Sequence, residues 1–464
     1  MEDGNAAGSG GRAPWAADAV VYHAYALGYC GAPERNDPAA EPVPRLRELT
    51  RRLDGIAALG ADTLLVGPLW ESSSHGYDTV EFGRLDRRLG TEGDLLELVA
   101  AARARGMRVV FDAVLNHAGR EHPWFRDVRT RREESPFRGR FAGLDFSRPG
   151  PRGDGFDYEG WAGCHDLVKF GHRDGETRRV LVGEAVSWIR RFGISGLRLD
   201  AADVIERGFL AELAAACRAE DPDFWLAGEA VHGDYRELVR DGGLDCATNY
   251  ECYKGLWSSL NDANYHEIAW SLERQYGEAG IYRGLNHLAF VDNHDVDRAA
   301  STLRKRAHLY PLYALLFSMP GIPAIYYGSE YGAEGRRGNG SDRALRRPMA
   351  EIESGASEPD LARAIARFIE ARKRLPALRR GTYRKLHVAA ETFAFERLAE
   401  GNGPGSRVVA LFNASDAEAE IRLEGVGGSW TDVLDGGCRV EAGGSENALA
   451  VRVPPNWTRW LVEA

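Results

Sequence analysis

Gly196-Leu197-Arg198-Leu199-Asp200 is the stretch that decides how this chain folds. Ile194, Leu197 and Leu199 give it a strand-like apolar body, and Ala201-Ala202-Asp203 leads on into a helical run. A strand this apolar is buried, and burial alone would not tolerate the charge at its end. Side chains two residues apart on a strand share a face, so the Arg198 guanidinium can hold the Asp200 carboxylate ionised and oriented. On its own the pair reads as a structural ion pair closing a strand or as an activated carboxylate. The spacing of other acids separates the two readings.

Glu229 lies 29 residues further on, after the apolar run Phe224-Trp225-Leu226-Ala227-Gly228, and Asp295 follows 66 residues later, after Leu288-Ala289-Phe290-Val291 and Asp292-Asn293-His294. A strand-helix unit of a (β/α)₈ TIM barrel takes roughly 30 residues, so these intervals are about one unit and two. The three acids then sit at the C-terminal ends of strands four, five and seven, the face on which such barrels do chemistry. Asp112, ending Val109-Val110-Phe111, precedes Asp200 by 88 residues. One unit leaves about 60 residues over, which predicts an insertion after strand three.

Outward from this core the pattern is α/β. Strands are expected over 20–25, 61–66, 107–115, 194–200, 246–250 and 322–327, with two more ending at Glu229 and near Val291. Helices are expected over 45–59, 95–105, 176–192, 209–217, 307–318 and 361–374. The barrel is assigned to residues 15–117 and 173–380. Between them, 118–172 is dense in Arg, Gly, Pro and aromatics, as in Gly150-Pro151-Arg152-Gly153-Asp154-Gly155, and reads as an irregular insertion subdomain over the barrel mouth. From 381 to 464 short alternating strands follow without helices, at 392–397, 407–413, 419–423, 448–453 and 457–462. They predict a C-terminal antiparallel β-sandwich domain in which Trp430, Trp457 and Trp460 belong to the core rather than to a sugar-binding surface.

The first 14 residues, rich in Gly and Ala, lack a basic region followed by an apolar one and read as a disordered tail rather than an export signal; a cytoplasmic enzyme is expected. The formal charge of −10 has no basic block against it, which disfavours nucleic acid and anionic membrane as partners. No segment is long and apolar enough to span a membrane. Six scattered cysteines without a CxxC pair are expected to be free thiols, not a metal site.

Three acids at one barrel mouth, two of them able to flank a bond, suit glycoside cleavage with retention. Asp200 is expected to be the nucleophile, its pKa lowered by Arg198. Glu229, beside Trp225, Leu226 and Ala227, is expected to be the acid, its pKa raised by desolvation. Asp295 is left to accept hydrogen bonds from substrate hydroxyls.

Phe111-Asp112-Ala113-Val114-Leu115-Asn116-His117, Gly196-Leu197-Arg198-Leu199-Asp200-Ala201-Ala202, Gly228-Glu229 and Phe290-Val291-Asp292-Asn293-His294-Asp295 resemble the four signature regions of the alpha-amylase superfamily, glycoside hydrolase family 13. Gly321 to Glu330 resembles its further signature at strand eight, so the resemblance runs from about residue 20 to the end. It implies catalytic roles for Asp200, Glu229 and Asp295. His117 and His294 would bond the same sugar, Arg198 would orient Asp200, and Tyr77 would stack under the ring. Asp342 and Arg347, on a 331–347 loop expected to close one side of the cleft, would hold the next sugar. Asp203 is placed among the substrate-binding residues, and Asp78, Asp112 and Asn116 would support the loops. No cofactor is required. A structural calcium stays open, because the asparagine of this motif helps bind one in many relatives.

Within the superfamily, Cys164-His165-Asp166-Leu167-Val168-Lys169-Phe170 resembles the insertion motif of the cyclomaltodextrinase, neopullulanase and maltodextrin-glucosidase branch, with Val168 where a proline is usual. With strand one so near the start, the N-terminal β domain through which many of that branch dimerise is not expected, and the oligomeric state is left open. Amylases acting on long starch often carry Lys or His where this chain has Asp203. The expected activity is therefore hydrolysis of mainly α-1,4 bonds in maltooligosaccharides or cyclodextrins. The alternatives are a glucanotransferase or phosphorylase using the same intermediate, and a catalytically inactive sugar-binding protein.

Overall fold

A computed structural model describes residues 13–463 except 339, 357, 359, 402 and 442–447. The expected tail over 1–14 thus falls, up to residue 12, outside the described residues. Eight parallel strands follow in order: β1 Val21–Tyr25, β2 Thr63–Gly67, β3 Arg108–Ala113, β4 Gly196–Leu199, β5 Trp225–Gly228, β6 Cys246–Ala247, β7 Leu288–Phe290 and β8 Ile322–Tyr326. They pair in the order β6-β5-β4-β3-β2-β1-β8-β7, and a parallel bridge from Thr248 to Leu288 closes the ring. This is the (β/α)₈ barrel that the spacing of the acids implied.

Inward-facing residues Val21, Leu65, Val110, Trp225, Ala227, Leu288, Phe290, Ile322 and Ala324 fill the barrel as one cluster. Its lower end is stopped by the first described turn, Pro14–Asp18, where the Trp15 ring meets Trp225 edge-on at 5.9 Å. β6 ends sooner than the 246–250 expectation. Asn249 leaves the strand because its side chain accepts from the Cys252 N–H and caps the helix Tyr250–Asn261.

Between β3 and β4, His117–Gly119, Cys164–Lys169 and Gly160–Trp161 form a small antiparallel sheet, with Ala118 opposite Val168. It is backed by the helix Pro123–Arg131 and a cluster of Phe125, Phe141, Phe156, Tyr158 and Phe170.

At the C-terminal end a six-stranded antiparallel sheet faces the pair Ala419–Glu424 and Ala448–Val453. The strand Arg407–Asn413 shows why the segment is apolar on both faces. Val409 and Leu411 pack into the sandwich with Ile421, Leu449 and Trp430, whereas Val408, Ala410 and Phe412 join the core shared with the barrel. Trp430 and Trp460 are fully buried, and Trp457 packs against Tyr310 and Phe368. Two buried arginines sit at this junction. Arg372 donates to the carbonyls of Phe317 (2.9 Å) and Gly321 (2.6 Å). Arg397 donates to those of Ser318 (2.6 Å) and Gly381 (2.9 Å). Both cations therefore cap the C-terminal end of the barrel helix Leu309–Ser318, where unpaired carbonyls and the helix dipole favour positive charge. Among the described residues no helix is long and apolar enough to cross a membrane, and all six cysteines are free.

Candidate active site

Arg198 stands at the centre of the barrel mouth and is shared by three carboxylates from three adjacent strands. Its Nη1 donates to Asp112 Oδ1 at 2.7 Å and Asp200 Oδ1 at 3.0 Å, while Nη2 meets Glu229 Oε1 at 2.9 Å. Parallel register makes this geometry: Asp112 on β3 and Ala227 on β5 both lie opposite Arg198 on β4. The approach also needs a glycine on the next strand, since a Cβ at Gly67 would come within 2.6 Å of the Asp112 Cβ. Asp112 then uses its second oxygen to accept the Tyr77 hydroxyl at 2.9 Å.

One cation among three buried carboxylates leaves negative charge in excess. Burial raises the Asp200 pKa well above the carboxylate range; Arg198 opposes this, and the charges of Glu229 and Asp112 add to the rise. The expectation that Arg198 leaves Asp200 with a lowered pKa is therefore corrected: the cation acts in that direction, and desolvation outweighs it. Glu229 is raised as well, chiefly by burial, as the sequence implied. Glu229 Oε2 accepts the Ala201 N–H at 3.0 Å, a contact made by turning Ala201 into the left-handed region at φ 49°.

Asp295 differs from the other two. Its side chain is 32% exposed against 10% for Asp200 and Glu229. Burial still opposes its ionisation, but His294, with Nε2 at 2.8 Å, and Arg346, with Nη2 at 3.0 Å, hold its carboxyl well below the usual range. Arg346 also bonds Asp342 Oδ2 at 3.0 Å and the His294 carbonyl at 3.1 Å, and lies over the Tyr25 ring at 4.7 Å. The expectation for Arg347 is corrected here. It faces Glu351 at 3.9 Å, and the arginine that joins Asp342 to the acids is Arg346. The 3₁₀ turn Arg343–Leu345 sets which of the two adjacent arginines turns inward. Accordingly Arg346→Ala should raise KM by about tenfold or more, whereas Arg347→Ala should stay within about twofold of wild type. Steady-state kinetics on a maltooligosaccharide compares them, and equal effects would remove the assignment.

The Tyr77 ring is stacked on His294 (5.3 Å) and Tyr25 (6.4 Å), and its hydroxyl lies 2.5 Å from His294 Nε2. His117 is buried and pushed down to about 3 by desolvation, hence neutral; its Nε2 is 4.0 Å from Asp200 Oδ2 and has no hydrogen-bond partner. Asp78 accepts from Ser74 Oγ at 2.7 Å and supports the Tyr77 loop. Asp203 Oδ2 accepts the Val231 N–H at 3.1 Å, tying the loop after β4 to the loop after β5. Asn116 Oδ1 is buried without a partner, as a calcium ligand would be, yet among the described residues no three acidic, His or Cys side chains gather to hold a metal. Tyr250 and Asn293, which the sequence did not single out, also face the acids. The Tyr250 hydroxyl lies 3.5 Å from Glu229 Oε1 and accepts from Asn293 Nδ2 at 3.0 Å.

Residues 36–380 match the family model for the alpha amylase catalytic domain. The chain is 29% identical over 401 residues to a cyclomaltodextrinase of Bacillus sp, covering 80% of this chain and 68% of that one. It is 28% identical to neopullulanase 2 of Thermoactinomyces vulgaris, covering 95% and 77%. The ligand-free cyclic alpha-maltosyl-(1→6)-maltose hydrolase of Arthrobacter globiformis superposes with a TM-score of 0.78 at 28% identity, over 97% of this chain and 99% of that one. With the matched model spanning most of its length and ending where the barrel's last helices end, this chain belongs to the alpha-amylase family.

Proposed function

We propose that the protein is a retaining glycoside hydrolase that cleaves mainly α-1,4-glucosidic bonds in short, soluble α-glucans such as maltooligosaccharides or cyclodextrins. The observation that carries this reading is the bridging of Asp200 and Glu229 by one guanidinium. It draws both carboxyls to one side of the mouth, as suits the separation of roughly 5 to 5.5 Å that retention uses. Asp200 attacks the anomeric carbon while Glu229 gives its proton to the glycosidic oxygen. Glu229, now ionised, takes a proton from water, and that water releases the sugar from Asp200. Asp295 stays anionic throughout and accepts hydroxyls of the distorted sugar. His117 offers its free Nε2 to the same ring, and His294 and Arg346 fix Asp295.

Substrate size follows from the walls. The insertion grows directly out of His117, and Trp161 from its sheet tilts over the His117 ring at 5.8 Å, so one wall rises beside Asp200. Arg346 and Asp342 bring in the 331–347 loop on the other side. A pocket of this kind favours chain ends and small rings, and Asp203, occupied by Val231, offers no cationic grip on a long leaving chain. The relatives whose names include cyclomaltodextrinase and neopullulanase support the same class. Free thiols throughout support a reducing, cytoplasmic setting.

Maltotriose should give a higher kcat/KM than soluble starch counted per reducing end. Products should be the same with and without phosphate. A clear preference for starch, or random internal cleavage of amylose, would overturn the pocket argument, and a phosphate requirement would make the enzyme a phosphorylase.

A further inference from the structure

We propose that Tyr250 is a positioning residue that sets how readily Glu229 gives up and regains its proton, through a chain running Asn293 to Tyr250 to Glu229. The inference rests on the hydrolase reading above and deepens it. Tyr250 opens the helix Tyr250–Asn261 directly after β6, and the Asn249 cap fixes where that helix starts. Its ring stands edge-on to Phe290 at 4.8 Å, so the hydroxyl is aimed by packing rather than by chance. Asn293 Nδ2 donates to the Tyr250 oxygen at 3.0 Å, which leaves the phenol proton to point the other way, toward Glu229 Oε1 at 3.5 Å. That distance is long for a hydrogen bond, as contacts to catalytic groups often are until substrate tightens them.

Asn293 is itself held. Its Oδ1 accepts the Asp295 N–H at 2.8 Å and the Val296 N–H at 3.2 Å, so the segment that carries Asp295 also orients the donor behind Tyr250. The charged groups around Glu229 are otherwise Arg198 on β4, the Asp200 and Asp295 carboxylates, and His294. Arg198 is divided among three acids, and the Ala201 N–H serves Oε2. Tyr250 is thus the neutral donor available to Oε1 beside the shared cation. A donor there stabilises the carboxylate over the acid, which limits how far burial can raise Glu229 and helps it act as a base in the second half of the reaction.

The test compares wild type with Tyr250→Phe, Tyr250→Leu and Glu229→Gln, on maltotriose and on a 4-nitrophenyl α-maltoside whose leaving group needs no protonation. Removing the donor favours protonated Glu229. In Tyr250→Phe the alkaline limb of kcat/KM on maltotriose should therefore move up by about one pH unit, with deglycosylation slowed on the nitrophenyl substrate and an unchanged melting temperature. An unmoved limb in Tyr250→Phe overturns the proposal, and so does a shift seen only in Tyr250→Leu, which loses the ring packing as well. Glu229→Gln isolates the underlying reading. If it loses maltotriose turnover but keeps a fast first turnover on the nitrophenyl substrate, Glu229 is the acid whatever Tyr250 does; if it keeps wild-type turnover on maltotriose, the acid assignment fails and Tyr250 falls with it.

Discussion

Asp200→Asn should lower kcat by about 10⁴-fold or more, with the fold intact. Of the three acids on Arg198, Asp200 is the one whose second oxygen faces the unpartnered His117 Nε2 instead of another bonded group. Asp112 spends both oxygens, on Arg198 and on Tyr77, and Glu229 spends Oε2 on Ala201. The Asn side chain keeps the size and the acceptor toward Arg198, so circular dichroism and thermal unfolding should match wild type. Turnover near the wild-type rate, or a product of inverted anomeric configuration by NMR, would show that another group forms the bond.

Arg198→Met should be nearly as damaging to activity and far more so to stability. It leaves Asp112, Asp200 and Glu229 facing one another in a dry site, and stripping the partner from buried charge costs about 3–5 kcal/mol. The pH dependence has a definite sign. The Asp200 and Glu229 pKa values already lie above their unfolded values, and without the cation they rise further. Groups raised in the folded state favour folding below the unfolded pKa of about 4, and that contribution is lost as pH climbs through the folded value. The stability deficit of the variant should accordingly be largest at neutral and alkaline pH and shrink toward pH 4. Chemical denaturation between pH 4 and 8 measures this, and a deficit independent of pH would mean that Arg198 acts through packing alone.

The barrel was legible because its signal is spacing. Acids at the ends of apolar runs, one and two strand-helix units apart, constrain the ring more tightly than any single propensity. Periodicity was less informative where elements are short or packed on both sides. The strand Thr382–Val388 went unread because charged residues break its alternation, and Ser429–Asp432 and Cys438–Glu441 because four residues are too few to show one. The helix Tyr235–Arg240 was passed over because it is short, and His266–Tyr276 went unread although Ile268, Ala269, Leu272 and Tyr276 form its buried face. In the site, residues within the signature motifs could be named from the sequence, and those outside them depended on local geometry. Arg346 and Arg347 are chemically identical neighbours, and one tight turn decides between them. Tyr250 carries no motif at all, since it faces Glu229 only because β6 stops early and Asn249 caps a helix.

The buried arginines between barrel and C-terminal sheet bear on how substrate gets in. Arg372 and Arg397 grip carbonyls on one helix end and on the segment entering the sheet, in a place water does not reach. A pivot of the sheet against the barrel would strip Arg397 of its Ser318 acceptor with nothing to replace it, while Arg372 holds the barrel side of the seam together. This seam is a weld rather than a hinge, which leaves any opening of the mouth to the loops at the opposite end of the barrel.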